Sequence, residues 1–251
     1  MPANQPRTLA IDIGGSGLKA AILDTRGSMV SDRVRVETAY PISPARLISD
    51  LTTLVAPLGA YDRVSAGFPG MVRDGVILSA PHFETEGGPG TAISPELQKE
   101  WRQFDLASAL SDGLAKPAKV VNDADLQGLG VIRGKGLEMV ITLGTGFGTA
   151  LFKDGRLAPH LEIAHHQFRK GETYNEQLGN LARKEIGHER WCKRVARAIE
   201  NLRALTFFDL LYVGGGNAKK LDIELDHDVE LVSNTAGITG GIKLWGRAAG
   251  V

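Results

Sequence analysis

The chain is poor in the features that mark secreted, membrane-spanning and nucleic-acid-binding proteins. It has 251 residues but a single cysteine, Cys192, which excludes an intrachain disulfide and a zinc cluster built from cysteines. No apolar run approaches the roughly 20 residues needed to cross a bilayer, and the polar start lacks the apolar core of a signal peptide. Lys plus Arg and Asp plus Glu both number 29, so the zero net charge favours neither nucleic acid nor a membrane surface. We therefore expect a cytoplasmic protein without nucleic-acid or membrane partners.

What the chain does contain, near its start, is a glycine-rich turn between two apolar runs. Residues 9–13 are followed by Gly14-Gly15-Ser16-Gly17, and the second run begins at once. Strands joined so closely predict a β-hairpin. No helix follows the glycines, so the turn differs from a P-loop or a Rossmann turn. Its glycines still let backbone N–H groups approach a phosphate, and Asp12 could hold Mg²⁺ through water. An ordinary glycine hairpin is the alternative at this point.

A second hairpin repeats this pattern about half a chain later. The apolar run 139–143 leads into Gly144-Thr145-Gly146-Phe147-Gly148, and an apolar strand resumes at 149–152. Internal repetition of one supersecondary unit predicts two related domains. A phosphate chain could then lie between two turns of backbone amides. Two unrelated hairpins are the alternative.

The remaining pattern predicts an α/β protein with mixed sheets and helices on their faces. Residues 82–101 contain many breakers and read as a long loop, either functional or a surface excursion. The other predicted elements are strands near 8–13, 17–24, 28–37, 63–68, 118–121 and 208–213, an edge hairpin over 71–79, and helices near 44–58, 105–114, 123–133, 175–185, 189–206 and 236–247.

Together with three further motifs, the two hairpins resemble the ROK family of bacterial sugar kinases, within the sugar kinase/actin/Hsp70 superfamily. The resemblance is nearest to its glucokinase and polyphosphate glucokinase branch without a zinc motif. The motifs occur in the family's order and are Asp12-Ile-Gly-Gly-Ser-Gly-Leu-Lys19, Val121-Asn-Asp-Ala-Asp125, Leu143-Gly-Thr-Gly-Phe-Gly148, Glu162-Ile-Ala-His165 and Val213-Gly-Gly-Gly216.

The resemblance implies two RNase H-like domains with mixed sheets and an interdomain active-site cleft. We place the boundary between 118 and 119, with a C-terminal helix at about 236–251 that can pack back onto the N-terminal domain. The implied reaction is phosphoryl transfer from ATP or polyphosphate to a hexose hydroxyl, with glucose O6 as the first candidate for the acceptor. The enzyme is expected to be a homodimer that uses Mg²⁺ and holds no structural zinc. A catalytically weak sugar-binding or sensing protein of the same fold is the alternative.

The resemblance also assigns roles to individual residues. Asp123 is the base that accepts the proton of the sugar hydroxyl, and Asn122 holds another hydroxyl; read from the sequence alone, either residue could instead be a helix N-cap. Asp12 anchors hydrated Mg²⁺. The implied phosphate and nucleotide contacts are Asp12, Gly14, Gly15, Ser16, Lys19, Gly144, Thr145 and Gly146, with Gly214, Gly215 and Gly216 beside the adenosine.

The segment from His160 to His166 allows three interpretations: a metal site, a polar turn, or a sugar site in which Glu162 accepts and His165 donates hydrogen bonds. The resemblance favours the sugar site, although the branch usually has glycine where this chain has Ala164, and the added methyl could displace the loop. Glu176 is the best candidate for a further sugar-binding glutamate, and an exposed glutamate at a helix start is its alternative.

Basic residues are frequent over 169–203. Lys193, Arg194 and Arg197 have helical spacing on one side and could bind a polyphosphate chain. A solvated helix face is the more usual explanation.

Overall fold

The chain divides by its internal contacts into two units, each built on a five-stranded mixed sheet. The computed structural model describes residues 5–232 and 236–246. The N-terminal unit comprises the described residues up to Gly130 together with the segment from Gly237, and the C-terminal unit runs from Val131 to Ala236. This division describes packing alone, and the boundary at 118–119 stays a prediction.

The N-terminal unit contains eight strands and four helices within its first segment. The strands are β1 (Thr8–Gly14), β2 (Gly17–Leu23), β3 (Val34–Val36), β4 (Arg63–Phe68), β5 (Met71–Arg73), β6 (Val76–Ser79), β7 (Phe104–Asp105) and β8 (Ala118–Asn122). The helices are α1 (Pro44–Val55), α2 (Pro95–Trp101), α3 (Leu106–Leu114) and α4 (Asp123–Val131).

The main sheet of this unit has the order β3-β2-β1-β4-β8. The first glycine turn joins β1 and β2 as the predicted antiparallel hairpin, with Gly14 opposite Gly17. Strands β4 and β8 run parallel to β1, so Asp12 pairs with Gly67 and Phe68 pairs with Asn122. The carboxyl ends of β1, β4 and β8 therefore meet at one edge of the sheet, where α/β proteins commonly bind ligands.

Helices form where the sequence gives a cap and an apolar stripe. Helix α1 starts at Pro44 as predicted, because the Ser43 hydroxyl accepts the N–H of Arg46. Its residues Leu47 and Leu51 are fully buried against the sheet. The sequence prediction overextended β3, since Ile22 N–H donates to the Ser31 hydroxyl where a strand carbonyl would be needed.

The segment 82–101 is more ordered than the sequence suggested. Its second part is helix α2, which begins at a Ser94-Pro95 pair that repeats the start signal of α1. Its first part is stabilised by Glu84, whose carboxylate accepts hydrogen bonds from Ala80 N–H (2.8 Å) and from the Gln98 side-chain amide (3.2 Å). The loop reading was therefore right only for residues before Ser94.

The C-terminal unit contains seven strands and three helices among its described residues. They are β9 (Leu137–Leu143), β10 (Phe147–Lys153), β11 (Arg156–Leu157), β12 (Gln167–Arg169), β13 (Glu172–Thr173), α5 (Tyr174–Leu178), α6 (Asn180–Ile186), α7 (His188–Thr206), β14 (Leu210–Gly214) and β15 (Val229–Leu231). A final helix, α8 (Ala236–Thr239), continues into a 3₁₀ turn over Gly240–Trp245.

The second sheet repeats the first. Its order is β11-β10-β9-β14-β15, with an antiparallel β9–β10 hairpin around the second glycine turn and two strands parallel to β9. The repeated strand–glycine turn–strand unit thus belongs to a repeated sheet, as predicted, and the mixed α/β fold class is confirmed.

The segment from Gly237 completes the N-terminal unit. The Ser65 hydroxyl donates to Gly241 O (2.7 Å), and the Trp245 indole donates to that same hydroxyl (2.9 Å). The Trp245 ring also lies 5.3 Å from the Arg63 guanidinium and 5.4 Å from the Lys119 ammonium. The last five residues of the helix predicted at about 236–251 lie outside the described residues.

One buried carboxylate organises the start of β9. Glu138 has no exposed surface, and it accepts backbone N–H bonds from Arg133, Gly134 and Lys135 at 2.7–3.1 Å. The Tyr212 hydroxyl donates to it at 2.8 Å, and burial followed by this bond raises the pKa of Tyr212. The carboxylate thus ties the turn before β9 to the neighbouring strand β14.

We expect Glu138→Gln to destabilise the protein by about 1–3 kcal/mol, because an amide directs hydrogens toward donors that need an acceptor. Urea denaturation at neutral pH measures the change. Glu230→Gln is the matched control, since it removes an exposed ion pair with Arg133 and should cost less than about 1 kcal/mol. Equal losses in both variants would contradict the role given to Glu138.

Candidate active site

The first glycine turn is held from outside by two hydroxyl groups. Thr38 Oγ1 donates to Gly14 O (2.6 Å), and Tyr40 Oη donates to Gly15 O (2.8 Å). Burial raises the pKa of Tyr40 to about 12, so its hydroxyl stays a donor near neutral pH. A Cβ on Gly15 would lie 3.0 Å from the His82 ring, so a side chain here would require that ring to shift by a few tenths of an ångström. Ser16, at the tip of the turn, is exposed.

Asp12 lies directly across the hairpin from Lys19. Lys19 Nζ donates to Asp12 Oδ2 at 2.7 Å, and both side chains are about one-third exposed, at 30% and 28%. A partly exposed carboxylate beside a glycine turn fits the outer-sphere ligand of a hydrated Mg²⁺, which keeps several waters in kinase sites. The residues present therefore fit the predicted role, and the Lys19 ammonium near the start of β2 is paired with this carboxylate.

The Asn122-Asp123 pair joins β8 to α4. The Asn122 side chain is buried and bonds to two backbone groups: its amide donates to Gly70 O (2.9 Å), and its oxygen accepts Ala124 N–H (2.8 Å). Asp123 Oδ1 accepts the same N–H (2.9 Å), and this side chain is half-buried. Asn122 thus serves as the N-cap of α4, and Asp123 is its first residue with the carboxylate oriented by the same N–H; their predicted chemical roles stay predictions.

The second glycine turn is held by three asparagine residues. Asn175 Oδ1 accepts Phe147 N–H (3.0 Å), Asn180 N–H donates to Thr145 O (3.1 Å), and Asn217 Nδ2 donates to Gly144 O (3.0 Å). Asn217 also donates its backbone N–H to Leu143 O (2.8 Å). The shape of the turn is therefore set by these outside residues together with its own bond from Gly144 N–H to Gly146 O (3.0 Å).

The Gly214–Gly216 turn packs directly on the second glycine turn. Gly215 has φ +91°, and a Cβ there would collide with the backbone of Leu143. Only glycine combines that dihedral angle with so close an approach. The structure therefore brings together the two glycine segments that the sequence assigned to donor phosphates and adenosine.

The Glu162–His165 segment is a short 3₁₀ turn of the C-terminal unit. Glu162 is partly buried, with Oε2 3.4 Å from Nε2 of the buried His160, whereas His165 is exposed. Ala164 is 3% exposed, and its methyl group packs in the core of this unit. The methyl therefore fills core space, and the expected displacement of the loop is not needed to place it.

Glu176 closes a capping box at the start of α5. Its Oε2 accepts Thr173 N–H and the Thr173 hydroxyl, both at 2.8 Å, while Thr173 Oγ1 accepts Glu176 N–H. These bonds from Thr173, and then the charge of His165, lower the pKa of Glu176. The helix-start interpretation is thus correct in geometry, and sugar binding by this exposed residue stays a prediction.

The predicted basic face of α7 is largely neutralised. Lys193 pairs with Glu189 (2.6 Å), and Arg197 pairs with Glu200 (3.5 Å), with all four side chains more than two-thirds exposed. Arg194 lies against Gln177 O, and burial, then the charge of Arg169, lowers its pKa. The geometry favours the solvated helix face over a polyphosphate track.

Comparison with known proteins agrees with these features. The sequence profile of the ROK family matches residues 8–160, more than half of the chain, and the chain therefore belongs to the ROK family. A polyphosphate glucokinase of Mycobacterium tuberculosis (strain CDC 1551 / Oshkosh) is 28% identical over 252 residues, covering 94% of this chain and 90% of the relative. An N-acetylmannosamine kinase of Escherichia coli O139:H28 is 32% identical over 155 residues, which cover 60% of this chain and 48% of the relative.

Solved structures show the same fold. The inorganic polyphosphate/ATP-glucomannokinase from Arthrobacter sp. strain KM has a TM-score of 0.79 and 30% identity, covering 95% of this chain and 97% of that one. A ROK family glucokinase from Streptomyces griseus, solved with glucose and AMPPNP, has a TM-score of 0.72 and 17% identity, covering 95% and 98%. The chain thus belongs to the ROK family and has the expected RNase H-like fold.

Sequence reasoning missed the residues that hold the two turns, namely Thr38, Tyr40, Asn175, Asn180 and Asn217. They are distant in sequence from the glycines, and no spacing rule connects them. The capping box was readable, because Thr173-Tyr-Asn-Glu176 has the required S/T-x-x-E pattern.

We expect Glu176→Gln to lower stability at neutral pH but to leave it unchanged in acid. The lowered pKa means that the folded state favours the charged form, so the contribution is present above the unfolded pKa. It disappears as pH falls through the folded pKa. Thermal unfolding at pH 7 and near pH 3 measures the difference between wild type and variant.

The control is Glu172→Gln, an exposed neighbour outside the capping box. A constant stability difference at both pH values would contradict the linkage. A selective loss of sugar affinity in Glu176→Gln would instead support the sugar-binding assignment.

Proposed function

We propose that this protein is a hexose kinase that transfers a phosphoryl group from ATP or polyphosphate to a sugar hydroxyl, with glucose O6 as the preferred acceptor. The observation that carries the proposal is the presence of two glycine turns, one in each sheet, each held in shape by residues outside the turn. Each turn offers backbone amides at the carboxyl edge of a sheet, and the first shares its edge with the Asn122-Asp123 pair. Membership of the ROK family supports the reaction class.

The chemistry assigned to Asp123 is proton removal. As the sugar oxygen forms its bond to phosphorus, the bond from phosphorus to the leaving phosphate oxygen breaks and the hydroxyl proton moves to the Asp123 carboxylate. The bond from Ala124 N–H to Oδ1 orients that carboxylate. Phosphoryl transfer needs little more from a protein than such a base, positioning and charge neutralisation.

Asn122 is suited to hold a second hydroxyl. An amide nitrogen carries two hydrogens, and Gly70 O accepts one of them. In the C-terminal unit, Glu162 supplies acceptors and His165 supplies a ring N–H for further hydroxyl groups. The role of Glu176 in sugar binding is a weaker part of the proposal, because its carboxylate is engaged in the capping box.

Charge on the donor is met by three kinds of group. The backbone amides of the glycine turns would face phosphate oxygens, Lys19 would lie beside the first turn in its ion pair with Asp12, and Asp12 would hold hydrated Mg²⁺. The magnesium ion, when bound, neutralises charge on the transferred group. Gly214–Gly216 would border the adenosine of ATP.

The relatives guide donor and acceptor choice. The polyphosphate glucokinase and the glucomannokinase, at 28% and 30% identity, support glucose and either donor. The N-acetylmannosamine kinase aligns with only 60% of the chain, so N-acetylated hexoses belong in the same assay. The homodimer stays a prediction, testable by light scattering.

We expect Asp123→Asn to lower kcat by roughly 10²–10⁴, the usual contribution of a general base, while sugar affinity stays within a few-fold. A coupled assay of glucose, mannose, fructose and N-acetylated hexoses against ATP and polyphosphate measures turnover. Asp112→Asn, at an exposed carboxylate of α3, is the control and should be fully active. Near-full turnover in Asp123→Asn would reduce this residue to a helix cap.

We expect Glu162→Ala to weaken sugar binding by about 1–3 kcal/mol, because a partly buried acceptor for a hydroxyl is lost. Calorimetric titration with the best hexose measures the change, and Glu172→Ala serves as the control. Unchanged affinity would assign the segment to a polar turn. Stoichiometric zinc in the purified protein would favour the metal interpretation. Sugar binding without turnover in the wild type would identify a sensor.

A further inference from the structure

Two cationic side chains flank the second glycine turn, each one asparagine away from it. Arg183 Nη2 donates to Asn180 Oδ1 (3.1 Å), and Asn180 N–H holds Thr145 O. On the other side, Lys220 Nζ donates to Asn217 Oδ1 (2.9 Å), and Asn217 Nδ2 holds Gly144 O. The two asparagines also approach each other at 3.4 Å. The turn is therefore bordered by a continuous chain from one cation to the other.

Neither cation has a carboxylate partner among residues 5–232 and 236–246. Within the described part of the chain, no carboxylate oxygen lies within ion-pair distance of Arg183 or Lys220. Lys193 and Arg197 on the nearby helix α7, by contrast, both have glutamate partners. Charge available to an anion is thus found beside the glycine turn and is largely cancelled on the helix face that the sequence suggested.

The Arg183 side chain is also incompletely satisfied. Its Nε–H is buried without a hydrogen-bond partner among the described residues, and a buried donor left unpaired is unfavourable. Guanidinium groups bind phosphate oxygens through two parallel N–H bonds. A phosphate chain at the turn would give this group the partners that it lacks.

We propose that Arg183 and Lys220 form a cationic subsite for the phosphate chain of the phosphoryl donor, beside the second glycine turn. The proposal rests on the proposed kinase function and assigns donor binding to these two residues instead of Lys193, Arg194 and Arg197. The shared ligand chemistry is a chain of linked phosphates, supplied either by ATP or by inorganic polyphosphate. Asn180 and Asn217 then act as positioning residues, because each joins one cation to the turn.

The test compares two double variants with the same loss of charge. Arg183→Gln with Lys220→Gln removes the subsite, whereas Lys184→Gln with Lys219→Gln removes the exposed neighbouring lysines. We expect the first variant to raise the KM for the donor by roughly tenfold or more, since bonds to charged groups are lost. The KM for sugar should stay within twofold. The control should match the wild type for both substrates.

Separate assays with ATP, tripolyphosphate and long-chain polyphosphate identify the source of the phosphate chain. A higher KM for any of these donors, confined to the first variant, supports the subsite. With Lys220 intact, Arg183→Lys should lose less donor affinity than Arg183→Gln, because it keeps the charge but not the two parallel N–H bonds. An unchanged donor KM in the first variant, or equal changes in both double variants, would overturn the proposal.

A binding measurement separates this proposal from the kinase assignment. Tripolyphosphate with Mg²⁺ and no sugar should raise the melting temperature of the wild type and of the lysine control, but not of the Arg183/Lys220 variant. This result would stand even if no hexose were phosphorylated, in which case only the proposed function fails. Stabilisation retained in the Arg183/Lys220 variant, or absent from the wild type, would refute the subsite.

Discussion

A turn built from glycine can approach a phosphate closely, but it has no side chains with which to fix its own shape. In this protein, residues outside each turn hold it in shape. In the N-terminal unit, hydroxyl groups of Thr38 and Tyr40 hold the carbonyls of the turn. In the C-terminal unit, asparagines hold both carbonyl and N–H groups. The amides are thereby preorganised by residues that would never touch the ligand, which is the condition for electrostatic stabilisation at low reorganisation cost.

The two units share a backbone plan and differ in the side chains that serve it. Each sheet places an antiparallel hairpin beside two parallel strands, so that strand ends and turn gather at one edge. The residues that hold the first turn lie in the connection between β3 and α1. The residues that hold the second turn lie in α5, in α6 and in the turn after β14. The backbone arrangement is the same in both units because it follows from the strand order. The side-chain contacts that hold each turn differ because they depend on the residues around that turn.

This difference explains what the sequence could predict. Both hairpins, the strand carrying Asn122 and the start of α1 follow from local signals: apolar runs, glycine pairs and a Ser-Pro cap. The candidate site was readable where a motif is contiguous, as in Asp12 to Lys19. The residues that hold the two turns could not be predicted, because Tyr40 lies 25 residues from its partner Gly15, and Asn217 lies 73 residues from Gly144. Such pairs are set by tertiary packing, for which a single sequence has no local signal.

Side-chain pairing also escaped the sequence. A row of basic residues on α7 has the spacing of an anion-binding face, yet glutamates one helical turn away cancel two of its members. Ala164 departs from the usual glycine, yet its methyl group is absorbed by the core. In both cases the residue types were identified correctly from the sequence, but their effect depends on the side chains that lie next to them in the folded protein.

The packing of Trp245 against Arg63 and Lys119 has a consequence for biosynthesis. Translation releases β1 and β4 early, but the segment that covers them through Ser65 and Gly241 is made after the entire C-terminal unit. The C-terminal unit is continuous in sequence and can pack as soon as it emerges. The N-terminal unit can therefore complete its packing only after the segment from Gly237 has been made, and until then the face of its sheet that this segment covers stays exposed.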